Sequence, residues 1–169
     1  KVGAKYTVVC NNGTSALFMA ILATRQKKIT AIIPNINFVA SSSILSLIGA
    51  KIFLCDVDPS TGMVNAKNFS ECLKVATKKK YKPNLFIPVH YAGLVCDLKN
   101  IKKICKKNNI IMIEDGCHSF GSQYKEDRKI QMVGNSKYSE CCTFSFHPVK
   151  NITSIEGGAV TTNNKKIYK

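Results

Sequence analysis

The sequence predicts an α/β domain of three layers, αβα, around a mostly parallel sheet. Two observations carry that expectation. Short apolar runs rich in Ile and Val recur at residues 30–33, 51–54, 85–89 and 110–113, and their near-continuous hydrophobicity suits strands covered on both faces. Between them lie segments with apolar residues at helical spacing, at 14–25, 39–48, 66–77 and 98–107. Such alternation is the pattern of βα units joined by right-handed crossovers.

In chain order, Asn12-Gly13-Thr14-Ser15 opens the first helical segment. Asp58-Pro59-Ser60-Thr61-Gly62 is a turn by its chemistry, with Pro fixing one φ and Gly free to supply a positive one. Residues 124–138 are polar and charged, and read as a surface excursion or hairpin. Residues 141–146 and 158–162 read as two further strands, and the final residues as the start of a helix. No internal repeat, low-complexity tract or linker interrupts the pattern, so residues 1–169 form one domain. A chain that opens on Lys1 and stops inside a helix is expected to be part of a longer protein.

Composition sets bounds. With 169 residues, 45% of them hydrophobic, the chain can bury one sizeable core. No run is long enough for a membrane span and no signal-peptide pattern is present. Of the eight cysteines, none forms a C-x-x-C pair. Neither a disulfide framework nor a zinc site is expected, and no metal is assigned; buried free thiols in a reducing cytoplasm fit better. The net charge of +15 invites a nucleic-acid reading, but the lysines are scattered over helix faces without interleaved aromatics to stack bases. A solvated basic surface explains them, and a phosphate-bearing substrate would still gain from the field.

Three segments carry chemistry. At Asn12-Gly13-Thr14-Ser15, Gly13 permits close backbone approach, Thr14 and Ser15 offer hydroxyls, and the helix start offers free N–H groups and a positive dipole. These suit a phosphate, although an ordinary N-cap uses the same residue types. At residues 110–115, Glu114 and Asp115 end a buried strand, where ligands of open α/β sheets lie. Either a cofactor contact or a strand-end ion pair fits them. His118 follows three residues later, as a core, capping or ligand-facing histidine. In Phe144-Ser145-Phe146-His147-Pro148-Val149-Lys150, a β-rich run delivers a lysine into a loop, and Glu156-Gly157-Gly158 launches the next strand. A desolvated lysine there is able to act as a free amine toward a carbonyl. Phe38, just after another strand, reads by itself as core, and Ser145 as a strand-end hydroxyl bonded to nearby backbone.

Together these segments resemble the DegT/DnrJ/EryC1/StrS aminotransferases, sugar aminotransferases that depend on pyridoxal 5′-phosphate. The likeness runs through Asn12-Gly13-Thr14-Ser15-Ala16-Leu17, residues 34–41, Asp56-Val57-Asp58-Pro59-Ser60-Thr61, residues 88–93, Glu114-Asp115, residues 144–150 and Glu156-Gly157-Gly158, and so covers essentially the whole chain. It implies the large domain of a fold-type-I enzyme, lacking an N-terminal segment and a C-terminal small domain. Within the family, His90-Tyr91-Ala92-Gly93, Asp97, His118-Ser119-Phe120-Gly121 and Phe146-His147-Pro148-Val149-Lys150 look most like the UDP-4-amino-4,6-dideoxy-N-acetyl-β-L-altrosamine transaminases of pseudaminic acid biosynthesis.

The resemblance implies roles residue by residue. Lys150 would hold the cofactor covalently and then move a proton between the cofactor and sugar C4. Asp115 would pair with the pyridine nitrogen, Phe38 would stack on the ring, and His118 would lie near the ring oxygen. Gly13, Thr14 and Ser145 would hold the phosphate, and Tyr91 and His147 would line the substrate pocket. A lysine rather than a histidine at position 150 favours transamination over dehydration. Glutamate as amino donor, a UDP-linked 4-keto-6-deoxy sugar as acceptor, and a homodimer are implied in the same way. One departure stands out: Ser154-Ile155 replaces the Thr-Gly usual before Glu156, which would alter the loop after the lysine. Two rivals remain within the family, a binding or regulatory member that moves no amino group and a perosamine-type transaminase. Outside it stands a basic nucleic-acid-binding domain, supported by charge alone.

Overall fold

The computed structural model describes residues 2–169. Its elements run β1 (Tyr6–Cys10), α1 (Gly13–Ala23), β2 (Thr30–Pro34), α2 (Ala40–Leu47), β3 (Lys51–Cys55), α3 (Ala66–Lys78), β4 (Leu85–Phe86), α4 (Leu98–Lys107), β5 (Ile111–Asp115), β6 (Gln123–Glu126), β7 (Lys129–Met132), β8 (Cys141–Ser145), β9 (Gly158–Thr162) and α5 (Lys165–Tyr168). Seven strands make one sheet in the order β1-β9-β8-β5-β4-β2-β3, and β6 and β7 form a separate hairpin. The pairings from β3 through β2, β4 and β5 to β8 are parallel. β9 runs antiparallel between β8 and β1.

Successive side chains of a strand point to opposite faces, and helices cover both. On β2, Ile32 joins Phe53, Phe86 and Met112 against Phe69 and Ala76 of α3 and Leu98, Ile101 and Cys105 of α4. Its neighbours Ala31 and Ile33 face the other way, with Leu85 and Ile113, against Ala16, Leu17, Ala20 and Ile21 of α1 and Ile44 and Leu45 of α2. The result is the expected three-layer αβα arrangement. No helix among the described residues is long and apolar enough to cross a membrane.

The sequence expectations differ from the structure in two instructive places. The apolar run at 85–89 keeps strand pairing only over Leu85–Phe86, followed by an isolated bridge between Val89 and Asp115. Pro88 lacks the N–H that a continuous ladder needs, yet its carbonyl accepts the Asp115 N–H at 2.9 Å. That contact holds β5 as far as Asp115, the strand end expected for the two carboxylates. The segment before Asn12, left unassigned from sequence, is the antiparallel strand β1, half-buried on alternate residues at the sheet edge. The Asp58 turn forms as its chemistry requires, with Gly62 N–H donating to the Asp58 carbonyl at 2.8 Å and Gly62 at φ +70°.

Candidate active site

The parallel strands β2, β4, β5 and β8 all end on one side of the sheet, where open α/β folds place ligands. A cavity of about 560 Å³ opens there. Every residue to which the resemblance gives a role lines it: Gly13 and Thr14 at the start of α1, Phe38 after β2, Tyr91 after β4, Asp115 and His118 at and after β5, and Ser145, His147 and Lys150 at and after β8. They come from separate segments, and only the shared strand ends bring them together.

The α1 end of the cavity is a close-packed corner. Asn12, not Thr14 or Ser15, caps the helix: its side chain accepts the Ser15 N–H at 2.8 Å, while its carbonyl accepts the Ala16 N–H at 3.0 Å. Thr14 is left exposed and free to face a ligand. Gly13 is required by space, since a Cβ there would lie 2.6 Å from Cβ of Ser145 and 3.2 Å from Sγ of Cys117. Gly158 is required for the same reason on the other side, where a Cβ would lie 2.2 Å from the Asn12 carbonyl oxygen. The glycine after Glu156-Gly157 therefore lets β9 pass directly under the corner. Ser145, 8% exposed, borders it, and its Oγ accepts the His147 N–H at 3.4 Å. The strand-end hydroxyl bond and the cavity position coexist.

At the floor, Asp115 is 6% exposed. Its Oδ1 accepts the Cys117 N–H at 3.0 Å, which fixes the carboxylate at the cavity edge. Glu114 points away, because adjacent strand residues face opposite sides; it is buried against His90. Of the two carboxylates read from sequence as a pair, one belongs to the cavity and the other to the core. Beside Asp115, burial and the Lys150 charge hold His118 below the ordinary histidine range, with Asp115 acting the other way. It is therefore neutral near pH 7, able to donate through one ring nitrogen and accept through the other. Its ring lies 5.8 Å from that of Tyr91. Burial pushes the Cys117 thiol far up, so it stays protonated.

Lys150 stands half-buried on the loop between β8 and β9. Its N–H donates to the His147 carbonyl at 2.9 Å, and Ser154 N–H and Thr153 Oγ1 both donate to the Phe146 carbonyl at 3.0 Å. Phe146 N–H closes the loop onto Gly157 at 2.8 Å. Ile155, at the site of the noted departure, has φ +69°. A β-branched residue is strained in that region. Phe38 is 64% exposed and lines the cavity, which corrects the reading of an isolated Phe as core.

The family model for the DegT/DnrJ/EryC1/StrS aminotransferases matches residues 1–169. The chain belongs to this family. Among curated relatives, it is 32% identical over 163 residues to the GDP-perosamine synthase of Caulobacter vibrioides, covering 96% of this chain and 41% of that protein. Among solved structures, it superimposes on Helicobacter pylori PseC, an aminotransferase of pseudaminic acid biosynthesis, with a TM-score of 0.83 and 26% identity, covering 99% of this chain and 42% of that one. It superimposes on the pyridoxal-phosphate form of a sugar aminotransferase described as putative, Spr1654 of Streptococcus pneumoniae, with a TM-score of 0.81 and 26% identity, over 98% of this chain and 43% of that one. The chain thus spans about two fifths of the length of each.

Some residues of this DegT/DnrJ/EryC1/StrS chain escaped the sequence reading as site members. Asn37, Cys117 and Glu156 line the cavity, and His90 lies fully buried beneath it. Asn37 and Cys117 sit next to named candidates and have no spacing signal of their own. His90 had one: a histidine at a strand end opposite an acidic pair, with strand alternation requiring one of the two acids to face inward.

Proposed function

We propose that this chain is the cofactor-binding part of an aminotransferase that uses pyridoxal 5′-phosphate and moves an amino group from glutamate to C4 of a UDP-linked 4-keto-6-deoxy sugar. The observation that carries the reading is the convergence of Lys150, Asp115, Phe38 and the Gly13–Ser145 corner on one cavity. The residues fit the cofactor. At the corner, Gly13 and Ser145 leave no room for a Cβ, while the helix start and two hydroxyls face a space suited to a phosphate. When bound, the cofactor supplies a carbonyl that an amine can engage and a ring that withdraws electrons from the carbon losing a proton.

The chain's own residues would do the rest. The α1 N–H groups, Thr14 Oγ1 and Ser145 Oγ hold phosphate oxygens. Asp115, buried and fixed by the Cys117 N–H, keeps a proton on the ring nitrogen by charge pairing. Phe38 covers one face of the ring and restricts water. His118, neutral, bonds the ring oxygen. Lys150 would hold the cofactor through its amine and, once an incoming amine has taken that place and freed it, would carry a proton between cofactor C4′ and the sugar C4. Tyr91 and His147 border the region left for the sugar. A homodimer working in the cytoplasm is the assembly and place this reading assigns.

The branch is the UDP-sugar transaminase of pseudaminic acid biosynthesis, supported by the quoted motifs and the likeness to PseC. The likeness to GDP-perosamine synthase supports a second reading, with a GDP-linked sugar as acceptor. Assay of both nucleotide sugars with the whole protein separates them. The primary test is borohydride reduction of the whole protein after adding pyridoxal phosphate, with peptide mapping. Label on Lys150, absent in Lys150→Ala, is expected; binding without label there removes Lys150 from its role. Conversion of bound pyridoxal phosphate to pyridoxamine phosphate by glutamate distinguishes a catalyst from a regulatory member, which converts none.

A further inference from the structure

Under the cavity floor lies a buried polar cluster that no step of the proposed reaction uses. His90 is 0% exposed and Glu114 2%. His90 Nε2 and Glu114 Oε2 are 2.9 Å apart, and Ser139 Oγ donates to Glu114 Oε1. On the other side of the ring, the Cys96 N–H donates to His90 Nδ1 at 3.2 Å. Nδ1 is therefore the acceptor and Nε2–H the donor to the carboxylate. Glu114 and His90 each adjoin a residue that lines the cavity. Glu114 adjoins Asp115 on β5. His90 adjoins Tyr91, and its ring braces the far end of the Tyr91–Gly93 turn through Cys96. The two backbones are tied directly, with Asp115 N–H to the Pro88 carbonyl at 2.9 Å and His90 N–H to the Asp115 carbonyl at 3.0 Å.

Hydrophobic contacts alone would close the core here with less desolvation. A buried carboxylate bonded to a neutral imidazole is tolerated in the same place only when every partner is satisfied, and it fixes geometry through directional bonds. The turn it braces needs fixing: Ala92 has φ +51°, and Tyr91 packs against Gly62, whose missing Cβ would lie 3.2 Å from the ring. We propose that the Glu114–His90 pair is a positioning device, setting the Tyr91 turn and the Asp115 carboxylate at a fixed separation across the cavity. It acts through those residues and touches no ligand. The inference rests on the proposed function for its consequence, but its structural content stands apart from it.

The test uses the whole protein with Glu114→Gln, His90→Gln and their combination. Two readouts are needed. The first, without cofactor, is amide hydrogen exchange: exchange at Leu94, Cys96 and Asp115 is expected to rise at least tenfold in each variant while amides of α1 do not change. Unchanged exchange at those three positions overturns the proposal, whatever the protein binds. The second is the dissociation constant and absorbance maximum of added pyridoxal phosphate in the folded fraction. About tenfold weaker binding in each single variant, with no further loss in the combination, is expected. Lower melting temperature with wild-type binding and spectrum would mean a merely structural pair, and would sink it. Should the wild type itself bind no pyridoxal phosphate at Lys150, the functional reading fails while the exchange result still decides this one. If the Gln variants do not fold, Ser139→Ala loosens the same carboxylate by one bond; a severalfold rise in exchange at Asp115 is expected there, and none overturns the proposal.

Discussion

Gly13, Phe38 and Asp115 show how single side chains divide structural from chemical work. Gly13→Ala forces a Cβ to within 2.6 Å of Ser145, so it should destabilise by about 1–3 kcal/mol, as overpacking does, measured by urea unfolding. Adding Ser145→Gly should recover most of that loss. Phe38 is exposed, so Phe38→Ala should change stability by under about 0.5 kcal/mol while weakening cofactor binding. Phe69→Ala, in the core against Phe86 at 4.2 Å, should cost about 3–5 kcal/mol. Equal destabilisation by the two would refute the cavity placement of Phe38. Asp115→Asn keeps an oxygen for the Cys117 N–H but loses the charge. If the proposed function holds, the glutamate half-reaction of the whole protein should slow by about 10²–10⁴, the range for a lost acid–base partner, with little change in melting temperature. At this scale the residues of the cavity were legible from sequence only jointly, through the resemblance of the separated segments, because taken singly the Gly13 segment also reads as a helix cap and Glu114-Asp115 as a strand-end ion pair. Glu114 was read with Asp115 because sequence gives adjacency; only strand alternation in the folded sheet separates the two.

The loop between β8 and β9 is the element whose geometry bears most on the proposed chemistry, since it carries Lys150. Four of its backbone and hydroxyl donors turn inward on Phe146, His147 and Gly157, which holds its ends but leaves Ile155 strained at φ +69°. Ile155→Gly should relieve about 1–2 kcal/mol of that strain and return part of it through the larger unfolded-state entropy of glycine. The net expectation is a stabilisation of up to about 1 kcal/mol in denaturant unfolding. A destabilised Ile155→Gly variant would show that the loop takes another conformation in solution. The departure at position 155 was visible in sequence, but its cost was not, because cost depends on φ.

At the scale of the whole molecule, charge and thiols define how the chain meets solvent. Its 25 basic and 10 acidic side chains form few close pairs, such as Lys99 with Asp127 at 3.5 Å, and exposed pairs of that kind contribute under about 1 kcal/mol. All eight cysteines are free. Burial pushes Cys105 up to about 12 and raises Cys141 and Cys142 too, whereas a hydrogen bond with Cys55 lowers the half-buried Cys72. Alkylation of the native protein at pH 7 should therefore label Cys72 first and Cys141 and Cys142 last, by peptide mass mapping. Early labelling of Cys141 would contradict the closed core. The sequence by itself determined the alternation of elements, the layered class and the residue types of the site, since hydrophobic period and turn chemistry are local. Tertiary structure alone decided that β1 closes the edge against β9, that Asn12 caps α1, that Phe38 leaves the core, and that His90 and Glu114 meet beneath the floor. Those outcomes depend on contacts between segments far apart in the chain, where packing space and strand alternation set which side chain faces which neighbour.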